Sequence, residues 1–425
     1  MSDLKSMYST LQKDEFPDNL EIKLGNEKLI YKRRVWNIDN EEKGLRYGEN
    51  PDQAAALYQM EKGNISLGGI SFRTPDSSLI SALNEKQMIQ AGKHPGKTNL
   101  TDVDNGANIL QYLTDKASAV ILKHNNPSGA AWSDCGIEKA LEKAFWCDRI
   151  AAFGGAIVVN RPLTIDAAKI IDANYFEVVA APAFEDGVIE ILKKRKNLRI
   201  MELPKLAELQ NMVKSAFIDI KSLSDGGLIL QKSFVNRILK DDDFLPAIAT
   251  KKDGLQVSAR KPNKRELSDL RFAWAVESGV TSNSVIFAKD GATVAIGTGE
   301  QDRVGCVELA IYKAHTKYSD SLAFKEQQCS LYELVQKANK DAHFKEILDD
   351  IKIRTHKDLG GLKDSCLVSD GFFPFRDGVD VAISQGVSAI AHPGGSLRDY
   401  ESIIACNEAS PQVGMVFTGQ RSFRH

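Results

Sequence analysis

The sequence has few cysteines and no pair of them in C-x-x-C spacing. Six Cys residues are spread over 425 positions, and the two closest in sequence are Cys135 and Cys147. Zinc ribbons and thioredoxin-like redox motifs need a close pair, so both classes are excluded. A chain this long with so few cysteines is not a disulfide scaffold either.

Long apolar runs and an excess of one charge are also missing. No apolar stretch approaches the length of a membrane span, and residues 1–14 lack the apolar core of a signal peptide. The 55 Lys and Arg nearly balance the 57 Asp and Glu, for a net charge of -2. Nothing global therefore favours a nucleic acid or an acidic membrane as partner. We expect a cytoplasmic protein that binds neither.

The zinc deaminase signature and the P-loop signature are absent as well. Zinc deaminases need H-x-E and P-C-x-x-C, yet none of the seven His is followed at the second position by Glu. We therefore expect no catalytic metal. Residues 96–98, Gly-Lys-Thr, resemble the end of a Walker A loop, but Ala91 stands where its first Gly is required. This argues against a P-loop and against an ATP-dependent ligase.

Apolar runs alternate with amphipathic segments from about residue 78 onward. This pattern predicts an α/β protein with a largely parallel sheet. A polar, turn-rich stretch at residues 240–265 interrupts the alternation and marks a soft domain boundary. We predict an N-terminal extension over residues 1–45, a first domain over 46–250 and a second over 251–425. The main predicted helices span 80–91, 136–147, 165–173 and 303–318, and the main predicted strands span 117–122, 156–159 and 178–181.

The sharpest local motif is K-H-N-N-P-S-G at residues 123–129. It follows the predicted strand at 117–122, and we interpret it as a turn from a strand into a helix. Ligands of α/β folds gather at the carboxyl ends of strands. Lys123 supplies a cation there beside His124, a residue type that exchanges protons near neutral pH. The alternative is an ordinary solvated turn, and composition alone does not decide between them.

Three other motifs carry weaker signals. R-Y-G-E-N-P-D-Q at residues 46–53 places an Arg suited to phosphate in a loop, although the residues alone favour a capped loop leading into a helix at 54–58. G-T-G-E-Q-D-R at 297–303 leads from a strand to a helix N-terminus, which attracts anions. F-F-P-F-R-D at 372–377 offers aromatic rings for stacking on a heterocycle, but such a run is more often core.

Taken together and in order, these motifs resemble the transformylase part of the bifunctional family AICAR transformylase/IMP cyclohydrolase, where AICAR is 5-aminoimidazole-4-carboxamide ribonucleotide. The resemblance implies two tandem cytidine-deaminase-like α/β/α domains without zinc. It implies transfer of a formyl group from 10-formyltetrahydrofolate to the 5-amino group of AICAR, giving FAICAR in the synthesis of IMP. The matching stretches are residues 45–53, 123–130, 152–160, 282–288, 297–303, 369–380 and 418–425.

The resemblance also assigns roles to individual residues. Lys123 and His124 match the catalytic pair. Phe375 and Asp377 lie in the stretch that meets the folate pterin. The positions that match nucleotide contacts are Arg46, Tyr47, Asn283, Arg303, Phe372 and Arg421. Ala183, Glu202 and Asp52 depart from the expected Gly, Asp and His, which concerns substrate affinity rather than the reaction class.

Members of this family are homodimers with active sites at the subunit interface, and the resemblance also allows a monovalent cation. They usually carry an N-terminal cyclohydrolase domain, for which residues 1–45 are too few. We therefore expect no IMP cyclohydrolase activity and a separate cyclohydrolase downstream. Two alternatives stay open: a formyltransferase of the same fold that uses formate and ATP, and a nucleotide-binding homologue without catalysis.

Overall fold

The computed structural model describes residue 11 and residues 15–38, 40–63, 65–67, 70–252 and 254–425. The chain divides into two compact units that interleave along the sequence. The first comprises the residues up to Thr114, Leu122–Asn125 and Gly154–Val235, and the second comprises Asp115–Ile121, Asn126–Phe153 and Asn236–His425. The domain boundary near residue 250 stays a prediction.

The strands of the described residues are short. In chain order they are β1 (Asn19–Leu24), β2 (Glu27–Arg34), β3 (Trp36–Ile38), β4 (Glu41–Lys43), β5 (Leu57–Lys62), β6 (Ser66–Leu67), β7 (Ile70–Ser71), β8 (Met88–Gln90), β9 (Ala117–Lys123), β10 (Asn126–Ser133), β11 (Ala156–Val159), β12 (Val178–Ala181), β13 (Arg199–Glu202), β14 (Ile218–Ser222), β15 (Leu228–Lys232), β16 (Leu245–Pro246), β17 (Ile248–Lys251), β18 (Gly254–Val257), β19 (Val285–Lys289), β20 (Ala292–Gly297), β21 (Cys366–Ser369), β22 (Ala389–His392) and β23 (Gly414–Phe417).

The helices alternate with these strands. In chain order they are α1 (Lys97–Leu110), α2 (Ile137–Cys147), α3 (Arg149–Ala152), α4 (Ile165–Asp172), α5 (Val188–Leu192), α6 (Lys264–Glu277), α7 (Arg303–Gln327), α8 (Leu331–Ala338), α9 (Ala342–Lys357), α10 (Asp377–Ser384) and α11 (Asp399–Glu408). Among the residues described, no helix is both long and apolar enough to cross a membrane.

The sheet of the first unit has the strand order β11-β12-β13-β8, in which the first three strands are parallel and β8 is antiparallel. Every residue of β11 and β12 is buried, as expected of parallel strands covered on both faces. Helix α1 packs closely on this sheet at Gly106, where a Cβ would lie 2.5 Å from Val158 Cγ2. The close packing fixes the position of α1.

The sheet of the second unit has the order β16-β23-β22-β21-β19-β20-β10-β9, with β21, β22 and β23 parallel. Helix α7 begins at its N-cap Asp302, whose carboxylate accepts from Gly305 N at 2.6 Å. Its buried residues Cys306, Val307 and Ala310 join the strand residues of this sheet in one apolar core. The carboxyl ends of the parallel strands lead into the loops that carry the candidate site residues of this unit.

The α/β class predicted from the sequence is confirmed. The prediction of largely parallel strands is wrong, because β8, β16, β19 and β20 pair antiparallel with their neighbours. The predicted strands at 117–122, 156–159 and 178–181 are β9, β11 and β12, and the helix predicted from residue 303 is α7, which continues to Gln327. The helix predicted at 54–58 is wrong, because β5 begins there.

The helix predicted over residues 80–91 is also wrong. This stretch forms a short 3-10 turn, Ile80–Ala82, followed by β8. The Asn84 side chain accepts from Gln87 N at 3.1 Å, and the Gln87 side chain accepts from Asn84 N at 3.1 Å. Such local side-chain bonds compete with helical hydrogen bonding and favour a turn.

The interpretation of residues 123–129 as a strand-to-helix turn is wrong. His124 and Asn125 form a two-residue turn that joins β9 to β10. Their φ angles are 52° and 61°. Two consecutive left-handed residues are typical of the type I′ turn, whose twist suits a hairpin. Asn tolerates this conformation, but no Gly signals the turn in the sequence.

Candidate functional site

The two-residue turn at His124 and Asn125, which follows Lys123, is hydrogen-bonded to helix α1 of the same unit. Asn125 N donates to Asp102 Oδ1 at 2.6 Å, and Asn105 Nδ2 donates to Asn125 O at 2.9 Å. Burial raises the pKa of Asp102 to about 6, whereas the Asn125 N–H and the charge of Lys123 act to lower it. His124 is exposed and Lys123 is half-buried. A fixed backbone thus presents an accessible imidazole beside a partly buried ammonium.

The ammonium of Lys123 is positioned by a contact with the backbone of Gly154. Its Nζ donates to Gly154 O at 3.3 Å. Gly154 has a φ of 70°, and a Cβ at this position would lie 2.9 Å from Lys123 Nζ and 3.5 Å from the Tyr175 ring. Glycine therefore leaves room for the ammonium group against the backbone.

Arg46 and Tyr47 lie in a loop that pairs with the segment before α1. Arg46 N donates to Pro95 O at 3.0 Å, and Lys97 N donates to Tyr47 O at 2.9 Å. The Arg46 guanidinium stands over the Tyr47 ring at 4.5 Å, and its Nη2 donates to the Tyr47 hydroxyl at 2.9 Å. Arg46 is buried, so this guanidinium is largely removed from water.

A second buried guanidinium of the first unit was not recognised in the sequence. Arg199 is 2% exposed on β13, and its Nη1 lies 3.5 Å from Glu177 Oε2. Burial and the charge of Arg46 lower the pKa of Arg199 to about 10, and Glu177 opposes this shift. Two interacting buried cations favour the binding of an anion.

In the second unit, Arg303 is the centre of a buried polar cluster. Its Nη1 donates to Ser284 O at 3.1 Å and to Ser369 Oγ at 3.0 Å, and it forms an ion pair with Asp370. Its Nη2 donates to Asn283 Oδ1 at 2.8 Å. The structure therefore brings Asn283 and Arg303 together, as expected if both contact one ligand.

The same cluster contains a second buried carboxyl group. Glu277 is fully buried, and Ser284 Oγ donates to its Oε2. Burial and the charge of Asp370 raise the pKa of Glu277 well above its usual value. This shift favours the neutral form of Glu277, whereas Asp370 forms the ion pair with Arg303.

Phe372 and Arg421 also meet in the second unit. The Arg421 guanidinium lies 5.1 Å from the Phe372 ring centroid and 5.6 Å from that of Phe423. The backbone of this final segment is bonded, because Ser422 N donates to Asp370 O at 3.0 Å and Arg424 Nη1 donates to Gly279 O at 2.7 Å. Arg421 itself is exposed and accessible to a ligand.

The residues predicted to meet the pterin lie on either side of the start of α10. Phe375 is 51% exposed, and the Arg398 guanidinium lies 5.0 Å from its ring centroid. Asp377 is the first residue of α10, and its Oδ1 accepts from Gly378 N at 2.8 Å. An exposed ring beside a cation and a carboxylate suits a flat, polar heterocycle.

A buried histidine lies at the carboxyl end of β22. His392 Nδ1 accepts from Gly394 N at 3.1 Å, and its ring packs against Phe373 and Phe417 at 5.5 and 4.8 Å. Burial and the charge of Arg303 lower the pKa of His392 to about 3. His392 is therefore neutral at physiological pH. Within the described part of the chain, no group of three or more His, Cys, Asp or Glu is arranged to hold a metal ion.

The fold and site define an α/β protein with a Lys–His pair and desolvated guanidinium groups suited to anionic ligands. The chain belongs to the AICARFT/IMPCHase bienzyme family, whose model matches residues 8–313. It is similar to the bifunctional purine biosynthesis protein PurH of Magnetococcus marinus, with 34% identity over 383 residues. The proteins of the same name from Caldicellulosiruptor bescii and Chlorobium phaeobacteroides are 33% and 34% identical over 382 residues.

These matches cover 90% of this chain and 59%, 59% and 58% of the three relatives. The chain thus spans about three fifths of the length of the curated relatives it matches.

Proposed function

We propose that this chain transfers a formyl group from 10-formyltetrahydrofolate to the 5-amino group of AICAR, giving FAICAR in purine biosynthesis. The observation that carries the proposal is the Lys123–His124 pair, held on a two-residue turn by both backbone groups of Asn125. The names of the matched relatives, which state purine biosynthesis, support the pathway.

The proposed chemistry needs a base because the amine of AICAR is a poor nucleophile. Its lone pair is delocalised into the imidazole ring and the neighbouring carboxamide. Attack on the formyl carbon forms the new C–N bond and gives a tetrahedral oxyanion. Collapse of this intermediate breaks the bond to the folate nitrogen and releases tetrahydrofolate.

His124 removes the proton of the attacking amine as general base. Lys123 stabilises the oxyanion and helps to protonate the departing folate nitrogen. The position of Lys123 Nζ beside Gly154 O suits this role, since a partly buried and oriented ammonium needs little rearrangement during the reaction.

The ribonucleotide is proposed to bind through the cationic and aromatic side chains that the resemblance assigns to it. The 5′-phosphate is proposed to bind against Arg46, Lys123 or Arg421, since the planar fork of an arginine matches phosphate oxygens. In the first unit, Arg46 and Tyr47 form a stacked pair. The proposed nucleotide contacts of the second unit are Asn283, Arg303, Phe372 and Arg421, and the proposed pterin contacts are Phe375 and Asp377. A homodimer with interface active sites and a bound monovalent cation remain proposals from the resemblance.

A spectrophotometric assay that follows tetrahydrofolate release tests the proposal. The protein is mixed with AICAR and 10-formyltetrahydrofolate, with and without an added IMP cyclohydrolase that removes FAICAR. Turnover that needs both substrates is the expected result, and omission of AICAR is the control. Turnover only with formate and ATP would show that formate, and not the folate, is the source of the formyl group. AICAR binding with neither reaction would contradict catalysis.

A further inference from the structure

We propose that Asp102 and Asn105 are positioning residues. They bind the backbone of Asn125 and so hold the two-residue turn, and with it the Lys123–His124 pair, in its reactive conformation. This inference rests on the proposed formyl transfer. It adds two residues of helix α1 that touch neither substrate and act through the turn.

The two side chains bind complementary groups of one residue. Asp102 Oδ1 accepts from Asn125 N at 2.6 Å, and Asn105 Nδ2 donates to Asn125 O at 2.9 Å. Asp102 and Asn105 are three residues apart on α1, so they lie on the same face of the helix. Both are buried, at 6% and 1% exposure. The face of α1 that should be apolar core thus carries polar groups directed at the turn.

The helix that carries them is fixed against the sheet of the first unit. Gly106 follows Asn105 directly, and a Cβ there would lie 2.5 Å from Val158 Cγ2 and 3.2 Å from Leu122 Cδ2. Only glycine permits this close approach of helix and strand. The donor and acceptor that hold Asn125 are therefore attached to a rigid platform.

The turn itself needs such external support. His124 and Asn125 both have positive φ angles, a conformation that non-glycine residues rarely adopt. Unfavourable backbone conformations persist where surrounding contacts over-determine them, and they cluster at active sites. Loss of the contacts to Asn125 would let the adjoining His124 leave the position from which it reaches the substrate amine.

The charge of Asp102 makes the contact sensitive to pH. The groups that act on this carboxyl are the Asn125 N–H, Lys123, Glu177 and Lys97, and burial raises its pKa to about 6. The ionised carboxylate accepts a stronger hydrogen bond than the neutral acid. Protonation weakens this hydrogen bond. Asp102→Asn reproduces the neutral state at every pH while keeping an oxygen acceptor.

Single turnovers of wild type and Asp102→Asn with AICAR and 10-formyltetrahydrofolate, rapidly mixed between pH 5.5 and 8.5, test the positioning role. At pH 8 the variant should be roughly 10- to 100-fold slower, the scale of a small misplacement of a catalytic group. The ratio of the two rate constants should shrink toward one below about pH 6, because the wild-type carboxyl is then protonated too. His124 is present in both proteins, so the ratio reports the change at Asp102.

Two further variants sharpen the comparison. Asp104→Asn removes the same charge from an exposed position of the same helix, and its rate should stay within about twofold of wild type at every pH. Asn105→Ala should be slower by a factor that does not change with pH, since an amide does not titrate. An Asp102→Asn rate within about twofold of wild type at every pH would overturn the positioning role.

A measurement without a variant keeps the inference testable if Asp102→Asn does not fold. In the 15N-labelled wild type, the amide proton shift of Asn125 should titrate with a midpoint near pH 6. A flat shift would overturn the contact. A wild type without formyl transfer would overturn the proposed function and this inference together, whereas an active wild type whose rate Asp102→Asn matches at every pH would overturn the positioning role alone.

Discussion

The Arg303 guanidinium donates to Asn283 Oδ1 at 2.8 Å, so one side of this group holds a predicted ligand contact in place. Its other nitrogen pairs with the fully buried Asp370. Arg303 therefore links the candidate nucleotide contacts of the second unit to the stability of its core.

Arg303→Met should lower the free energy of unfolding by roughly 3–5 kcal/mol, because removal of one partner leaves the buried carboxylate of Asp370 unpaired. Urea titration measures this loss. Arg376→Met is the matched control, since Arg376 pairs with the exposed Asp380 at 2.8 Å and its loss should cost less than about 1 kcal/mol. Equal losses in the two variants would contradict a structural role for the Arg303–Asp370 pair.

His124→Ala should lose about 10²- to 10⁴-fold in kcat while retaining AICAR binding, because the general base is removed but the proposed nucleotide contacts remain. Steady-state kinetics and isothermal titration calorimetry measure the two effects separately. His356→Ala, which changes an exposed residue of α9, should leave both unchanged. A fully active His124→Ala enzyme would refute the assigned role.

His392 should make folding stability depend on pH. Its folded pKa of about 3 lies below its ordinary value of 6.5, so the unfolded state binds one more proton between these values. The stabilisation is complete above about pH 6.5 and is lost as pH falls toward 3. Relative to His392→Gln, the wild type should lose about 1.4 kcal/mol per pH unit in this window. Urea titrations at pH 8, 6 and 5 measure this difference, and parallel curves would contradict it.

Substitution of Arg421 should change nucleotide affinity, whereas substitution of Arg424 should change stability. Arg421 is exposed and stacks on two Phe rings, so Arg421→Ala should weaken AICAR binding about 10- to 100-fold with little change in Tm. Arg424 donates to Gly279 O, so Arg424→Ala should instead lower stability by about 1–3 kcal/mol. Calorimetry and thermal unfolding separate the two outcomes. Unchanged nucleotide affinity in Arg421→Ala would refute its assignment.

Much of the fold could be predicted because buried parallel strands are continuous apolar runs. The sequence of β11 and β12 contains only Val, Ile and Ala. Strand β10 could not be recognised in this way. It is rich in small residues and buried on both faces, so it lacks the alternation of apolar and polar residues that marks a strand. Its sequence instead favours the start of a helix.

The site could be predicted only where a motif is contiguous. Lys123 with His124, and Arg46 with Tyr47, are neighbours in sequence, and the structure adds their partners. Asp102 and Arg199 escaped prediction because a polar residue in a helix or strand is normally assigned to the exposed face. Their partners lie 22 or 23 residues away, a separation that no local pattern encodes.

The two-residue connection between β9 and β10 does not tolerate an inserted or deleted residue beside the catalytic pair. An inserted or deleted residue there would shift the pairing by one position and turn every side chain of β10 to the opposite face. Seven of the eight residues of β10 are buried, so such a shift would disrupt the core on both sides of the sheet. Natural variants of this segment should therefore differ by substitution and not by gaps, and an engineered tag or linker placed there should prevent folding.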